Sequence, residues 1–122
     1  MNILILGSGI VGANLAKKLS EQGKNVFLLD DDANELKNLS ERFDIKTIYD
    51  DPLNPSFYKN FDSKIDCFIA VTRSDEKNII TSKFAKEFLK VDKSIARVRN
   101  QNLILDENKS LLIESNSFLD HI

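Results

Sequence analysis

The residues Gly7-Ser8-Gly9-Ile10-Val11-Gly12 constrain the fold more than any other stretch of the chain. They follow the short apolar run Asn2 to Leu6, which is typical of a strand buried on both faces. After them, apolar residues recur at every fourth position from Ile10 to Gln22, as in an amphipathic helix. The pattern G-x-G-x-x-G between a strand and a helix predicts a turn whose backbone N–H groups hold a phosphate.

The three glycines of this pattern have different predicted roles. Gly7 permits the tight turn, Gly9 lets backbone N–H groups approach a pyrophosphate without a β-carbon in the way, and Gly12 lets helix and strand pack closely. The alternative is a strand-to-helix turn that is rich in glycine for packing alone. Three of the four glycines in the chain fall in this pattern, which favours the phosphate site.

Strands and helices alternate along the chain as far as Arg99. The further predicted strands cover residues 25–30, 45–49, 65–71 and 94–98, and the further predicted helices cover residues 32–43, 55–61 and 76–90. Because parallel strands need a return path that helices supply, this order predicts a Rossmann-type, doubly wound parallel sheet of three α/β/α layers in a single lobe. Beyond Arg99 we expect a short helix over 102–110 and a sixth strand over 117–122.

The predicted helix from Glu76 to Lys90 carries Ile80, Phe84 and Phe88 at helical spacing. These side chains predict one apolar face for this helix.

Composition excludes several classes of function. Seventeen Lys and Arg stand against 19 Asp and Glu, the bases are scattered, and the formal charge is -2, so nucleic acid is not an expected partner. A single Cys forms no internal disulfide, which makes the cytoplasm the expected compartment. The first apolar run is too short, and lacks the basic lead-in, for a signal peptide or a membrane span.

Asp30 ends the second predicted strand, 18 residues after Gly12. A carboxylate at this place accepts hydrogen bonds from both ribose hydroxyls of an adenosine. A 2′-phosphate would meet the adjacent Asp31 and Asp32 as well, so NADP is expected to bind far worse than NAD. The alternative role of Asp31 and Asp32 is to cap the next helix.

Polar side chains also follow the third, fourth and fifth strands, where ligands of doubly wound sheets lie. These side chains are Asp50, Asp51, Thr72, Arg73, Arg97 and Arg99. Thr72 either bonds to ribose or phosphate or caps the following helix. Arg97 lies within an apolar stretch and needs an anion, which is either a phosphate or a nearby carboxylate.

Four stretches resemble the TrkA N-terminal domain family, also called the RCK or KTN domain, of the regulatory subunit of the Trk potassium-uptake system. They are Ile5-Leu6-Gly7-Ser8-Gly9-Ile10-Val11-Gly12, Leu28-Leu29-Asp30, Ile69-Ala70-Val71-Thr72-Arg73-Ser74-Asp75-Glu76-Lys77-Asn78 and Ile95-Ala96-Arg97-Val98. The resemblance covers nearly the whole chain. The third stretch followed by the fourth is more specific than the glycine pattern.

The resemblance implies a cytoplasmic nucleotide sensor that binds NAD or NADH, or in some relatives ATP or ADP. Such a sensor forms a homo-oligomer, at least a dimer, and passes its ligand state to an integral-membrane potassium-translocating subunit at the inner face of the plasma membrane. Carried over by motif, Gly7 to Val11 hold the pyrophosphate and Asp30 the adenosine ribose. Thr72 and Arg73 contact the middle or distal part of the nucleotide, and Arg97 a phosphate.

The sequence departs from the family pattern in two places. Gly-Asp is common after the third strand, where an adenine edge is contacted, whereas Asp50-Asp51 stands here, so that only Asp51 fits. The family also continues into a second small lobe. The resemblance therefore implies that residues 1–122 are an N-terminal lobe taken from a longer chain. Asp75, Glu76 and Asn78 match the motif, and at the start of a helix we expect them to act mainly as caps.

Few side chains in the sequence are candidates for a catalytic role. The single His, His121, is expected to be solvated, Cys67 is expected to be a small buried apolar residue, and no zinc-ligand spacing occurs. A dehydrogenase of this fold also needs a second domain to present its substrate. We therefore expect a binding module and no enzyme; the alternatives are a fragment of an NAD-dependent oxidoreductase and an NAD-binding scaffold.

Overall fold

A computed structural model of the chain describes residues 1–100 and 118–120. The strands are β1 (Asn2–Leu6), β2 (Asn25–Asp30), β3 (Lys46–Tyr49), β4 (Cys67–Ala70), β5 (Lys93–Arg97) and β6 (Phe118–Asp120). The helices are α1 (Ile10–Glu21), α2 (Ala33–Arg42), α3 (Pro55–Asn60) and α4 (Asp75–Phe84), and α4 continues into a π-helical segment (Ala85–Leu89).

The strands form one parallel sheet in the order β3-β2-β1-β4-β5-β6. This is the doubly wound order, and it confirms the predicted fold class, including a sixth strand. The order reverses between β1 and β4, so the crevice that such sheets use for ligands opens at the carboxyl ends of these two strands. The predicted helix over 102–110 and His121 lie outside the described residues.

Alternate side chains of the central strand β1 lie on opposite faces of the sheet. Ile3 and Ile5 belong to the apolar cluster beneath α1 and α2, and Leu4 and Leu6 belong to the cluster beneath α3 and the π-helical segment. All four are buried because helices cover both faces. The three-layer prediction is thereby confirmed. Cys67 is buried in the first cluster, as predicted, and burial raises the pKa of its thiol.

Side chains cap the N-termini of three helices. Asp32 accepts a hydrogen bond from the N–H of Glu35 in α2, which confirms the predicted cap. Asn54 caps α3, and Ser74 caps α4 by accepting from the N–H of Lys77. The proposed cap at Thr72 is therefore wrong, because the helix begins two residues later than that role requires.

The predicted face of the helix after β4 is partly wrong. Ile80 is 43% exposed, whereas its neighbour Ile79 is 6% exposed. Apolar spacing misplaces this face because polar residues occupy much of its inner side. They are Asn78, Thr81 and Ser82, all buried. The helix also changes to the π-helical form at Ala85, and it ends at Lys90, whose φ of 55° is left-handed.

The turn between β1 and α1 brings two glycines into close contact. Gly7 has a φ of 116°, in the region that favours glycine. A β-carbon on Gly12 would lie 1.7 Å from the carbonyl oxygen of Gly7. Because this clash is with backbone, movement of nearby side chains does not relieve it. The roles predicted for both residues, a tight turn and close packing, are confirmed.

Gly12→Ala is expected to lower the free energy of unfolding by about 1–3 kcal/mol or more, because the new methyl group overlaps backbone. Gly9→Ala is the control, since its β-carbon would meet nothing within 4 Å and its φ of -71° suits any residue. Chemical denaturation of both variants measures the difference. Equal stability of the two variants would contradict the close packing of α1 on the turn.

Candidate functional site

The N-terminus of α1 faces the crevice between β1 and β4. The first helical hydrogen bond runs from the N–H of Ala13 to the carbonyl of Gly9 at 2.8 Å, so the N–H groups of Ile10, Val11 and Gly12 have no acceptor within the helix. No side chain caps Gly9, and the first turn holds no acidic residue. Backbone N–H groups and the helix dipole together make this end attractive to an anion.

The Asp30 carboxylate is held by the residues around it. Its Oδ2 accepts from the N–H and hydroxyl of Ser8 at 2.6 and 2.7 Å, and its Oδ1 accepts from the N–H groups of Asp31 and Asp32 at 2.7 and 3.2 Å. Burial opposes ionisation of Asp30, but the hydrogen bonds from Ser8 and Asp31 outweigh burial and hold the pKa of the carboxyl below its ordinary value. Asp30 is therefore charged at neutral pH.

A cavity of about 680 Å³, here called the acidic cavity, lies on the α2 side of the glycine turn. Its carboxylates are those of Asp30, Asp31, Asp32 and Glu35, and they outnumber the cations of Lys17, Arg42 and Arg73 that also line it. Leu39 and Phe43 supply apolar wall. The cavity thus combines acceptors for hydroxyl groups with a surface on which a flat ring can lie.

A second cavity of about 440 Å³, here called the basic cavity, lies on the α4 side of the same turn. Its cations are those of Arg73, Lys77, Arg97 and Arg99. The two cavities share Ser8, Gly9, Ile10, Asp30 and Arg73 as walls. They are therefore the two halves of one cleft that crosses the glycine turn.

Arg97 is buried beside the basic cavity, with 4% of its surface exposed. Its Nη2 donates to the carbonyl of Thr72 at 2.9 Å, and its Nε has no partner among the described residues. Burial lowers the pKa of this guanidinium, nearby Arg99 and Arg73 lower it further, and Asp75 opposes them. Within residues 1–100 and 118–120, no carboxylate pairs with Arg97.

The Asp75 carboxylate acts on Arg97 through its charge alone, and its hydrogen bonds go to the backbone. Its Oδ1 accepts from the N–H of Arg99 at 3.0 Å and its Oδ2 from the N–H of Asn100 at 2.7 Å. The carboxylate thereby fixes the chain that leaves β5. Of the described residues that line the basic cavity, only Asp30 carries a negative charge that can balance these cations.

Asn78 joins the ends of β4 and β5 through α4. Its Oδ1 accepts from the N–H and hydroxyl of Thr72, at 3.0 and 2.6 Å. Its Nδ2 donates to the carbonyls of Thr72 and Arg97, at 3.0 and 2.9 Å. Because Asn78 is fully buried, its amide positions both residues at the floor of the basic cavity. The cap role expected for Asn78 is wrong.

Most predicted site residues line the cleft. Those at the basic cavity are Gly7, Ser8, Gly9, Ile10, Val11, Asp30, Thr72, Arg73 and Arg97, and Asp31 lines the acidic cavity. Gly12 instead supports the turn from behind. Asp51 lines neither half: it is exposed, and its carboxylate accepts from the N–H of Leu53 at 3.0 Å.

Several residues of the cleft have no site role in the sequence-based prediction, or a different one; Lys17 and Arg42, which line the acidic cavity, are among them. Lys77 lines the basic cavity, and its position one turn into α4 is the only signal that could have found it. Asn78 was detectable as a motif residue, but its partners stand 6 and 19 positions away along the chain. Within the described part of the chain, no group of acidic, His or Cys side chains could hold a metal ion, and no helix is long and apolar enough to cross a bilayer.

Comparison with known families finds one match that covers most of the chain. The family model described as the TrkA-N domain matches residues 3–112. The Trk system potassium uptake protein TrkA of Haemophilus influenzae is 30% identical over 123 residues, which cover 100% of this chain and 27% of that protein. Its counterpart in Halomonas elongata is 36% identical over 100 residues, which cover 81% of this chain and 22% of that protein. The chain thus spans about a quarter of the length of these relatives.

Solved structures share the fold at low sequence identity. The NAD(P)-binding domain of an exopolyphosphatase-related protein from Archaeoglobus fulgidus superposes with a TM-score of 0.81 at 21% identity, over 98% of this chain and 86% of that one. The GsuK channel bound to NAD superposes with a TM-score of 0.77 at 19% identity, over 97% of this chain and 21% of that one. These likenesses support the Rossmann-type fold.

Asn78→Ala is expected to lower the free energy of unfolding by at least about 1–3 kcal/mol, the cost of one buried polar group left without a partner. Asn38→Ala, at an exposed position of α2, is the matched control and should change stability by less than about 0.5 kcal/mol. Thermal or chemical denaturation measures both. A variant at Asn78 as stable as the control would show that the hydrogen bonds of this amide are not needed.

Proposed function

Because the chain belongs to the TrkA-N domain family, we propose that it is an NAD(H)-binding regulatory domain of Trk-type potassium uptake. The observation that carries the proposal is the open N-terminus of α1. Its N–H groups face a cleft, no side chain caps them, and a β-carbon at Gly9 would enter empty space. This arrangement fits a diphosphate, which needs several donors and close approach to backbone.

The two halves of the cleft suit the two halves of a dinucleotide. The diphosphate would lie against the residues from Gly7 to Val11, and the adenosine ribose would meet Asp30. The adenine ring would then lie in the acidic cavity against Leu39 and Phe43. The rest of the dinucleotide would extend into the basic cavity, past Thr72 and Arg73.

The acidic cavity favours NAD over NADP. A 2′-phosphate would be brought beside Asp30, Asp31 and Asp32, whose carboxylates repel it. Asp31 contributes to this repulsion by its charge and does not cap α2, because the residue that caps α2 is Asp32. We assign no adenine contact to Asp51, which lies outside both halves of the cleft.

A nucleoside polyphosphate is the second candidate ligand. The basic cavity gathers four cations, whereas the nicotinamide ribose of NAD carries no anion beyond the shared diphosphate. The third phosphate of ATP, or the additional negative charge on the terminal phosphate of ADP, would balance more of this charge, including that of Arg97. Titration with both kinds of nucleotide distinguishes the candidates.

The proposed role is regulation and does not include catalysis. The relatives that match this chain are named for potassium uptake, and the neighbour bound to NAD is a channel. Cys67, the one thiol of the chain, is buried with a raised pKa and is not a nucleophile at neutral pH. Ligand binding must instead favour one assembly over another.

The partners we propose are further copies of this domain and an integral-membrane potassium-translocating subunit. The domain would act in the cytoplasm at the inner face of the plasma membrane, as part of a longer chain with a second lobe. The outer face of α4 suits contact between copies, because it exposes the large apolar side chain of Ile80. Its inner face reaches the basic cavity through Asn78, which links this surface to the ligand site.

Calorimetric titration with NAD, NADH, ADP, ATP and NADP tests the proposed ligand class. NADH or NAD should bind, and NADP should bind more weakly than NAD by a factor of at least about ten. Asp30→Ala should weaken binding by about 1–3 kcal/mol, with the exposed Asp44→Ala as the unchanged control. Equal binding of NAD and NADP would contradict the assignment of the acidic cavity to the adenosine ribose.

Gly9→Ala tests the diphosphate position without disturbing the fold. Its methyl group meets no atom of the protein, so the melting temperature should stay within a few degrees, about 2–4 °C. The same methyl group would occupy the place where backbone and diphosphate meet, so affinity for NADH should fall at least about tenfold. Unchanged affinity would show that the nucleotide does not lie on this turn.

A further inference from the structure

All acceptor positions of the Asp30 carboxylate are occupied by the chain itself. A carboxylate has two oxygens with about four lone-pair positions. Oδ2 receives the N–H and the hydroxyl of Ser8, and Oδ1 receives the N–H groups of Asp31 and Asp32. A ribose hydroxyl that reaches Asp30 therefore meets an acceptor that is already saturated.

One of these four donors can leave without a movement of the backbone. The N–H of Ser8 is fixed by the turn, in which the N–H of Gly7 donates to the carbonyl of Leu29 at 3.0 Å. The N–H groups of Asp31 and Asp32 belong to the backbone that leads into α2. The Ser8 hydroxyl, in contrast, moves by rotation about a single side-chain bond.

We infer that the Ser8 hydroxyl is a built-in competitor of the adenosine ribose for Asp30. Without nucleotide it fills the position that a ribose hydroxyl takes in the complex. Binding then exchanges one hydrogen bond to Asp30 for another, so this contact adds less affinity than a bond to an unoccupied acceptor would. The inference rests on the proposed function, and it replaces the two hydroxyl contacts expected from the sequence with one.

The surroundings of Ser8 allow this exchange. Ser8 is 5% exposed, so water competes poorly for its hydroxyl in the free protein. It lines both halves of the cleft, so the hydroxyl has space into which it can turn. The hydrogen bond it leaves is to a charged group, which is stronger than one between neutral groups. The loss of this hydrogen bond on binding therefore lowers the affinity by a measurable amount.

Calorimetry with ADP and NADH on Ser8→Ala tests the inference. Affinity for both nucleotides should rise by about two- to tenfold, the net worth of one hydrogen bond. Ser20→Ala is the matched control, because Ser20 lies near the far end of α1, where its hydroxyl donates to the carbonyl of Lys17 at 2.9 Å. Its affinity should equal that of the parent chain.

A second ligand separates competition from a general effect on the turn. 2′,3′-Dideoxy-ADP has the diphosphate and adenine but neither ribose hydroxyl. Ser8→Ala should bind it no more tightly than the parent chain does. An equal gain with ADP and its dideoxy analogue would overturn the inference, as would unchanged or weaker binding of ADP by the variant.

The free protein provides a readout that needs no nucleotide. Removal of the Ser8 hydroxyl takes away a hydrogen bond that favours the ionised carboxylate, so the pKa of Asp30 should rise in Ser8→Ala, as followed by NMR. Ser8→Cys keeps a side chain of similar size with a weaker donor and should change the pKa and the affinity in the same directions. An unchanged pKa in both variants would overturn the inference.

The outcomes distinguish this inference from the proposed function. If the parent chain binds ADP or NADH and Ser8→Ala gains nothing, the inference is wrong and the proposed function stands. If neither protein binds either nucleotide, both the proposed function and the inference are wrong.

Discussion

The contact between Gly7 and Gly12 determines where the functional cleft can form. The Cα atom of Gly12 packs so close to the carbonyl of Gly7 that no other residue fits there. This packing sets the first turn of α1 directly on the end of β1, and it directs the N–H groups of that turn into the crevice beside β4. The other parts of the site are arranged around this turn, because its residues Ser8, Gly9 and Ile10 form a wall that both halves of the cleft share.

Charge is divided across this wall. Four carboxylates outnumber three cations in the acidic cavity, and four cations outnumber the single carboxylate of Asp30 in the basic cavity. On the basic side, both the oxygen and the nitrogen of the Asn78 amide form hydrogen bonds, which position Thr72 and Arg97. The Asp75 carboxylate accepts from the backbone N–H of Arg99, just beyond β5. A neutral hydroxylated group and an anion are thus received at opposite ends of one cleft, which is the distribution of chemistry along a nucleotide.

The sequence predicts the elements and the glycine turn because both are local. Strands buried on both faces are continuous apolar runs, and a glycine pattern between a strand and a helix has one well-understood geometry. It does not predict contacts made by polar residues distant along the chain. The hydrogen bonds of Asn78 to Arg97 and of Arg97 to Thr72 join residues 19 and 25 positions apart. The inner face of α4 is polar, so apolar spacing does not reveal its orientation and groups the exposed Ile80 with Phe84 and Phe88. The two hydrogen bonds from Ser8 to the Asp30 carboxylate are likewise apparent only from the structure.

A crystal structure of this chain grown with NADH tests the central claim most directly. The account predicts a diphosphate within hydrogen-bond distance of the N–H groups of Ile10, Val11 and Gly12, with the adenosine ribose at Asp30. It is contradicted if the cleft contains no nucleotide at saturating NADH, or if the nucleotide binds elsewhere, such as the cavity of about 340 Å³ beside Asn54.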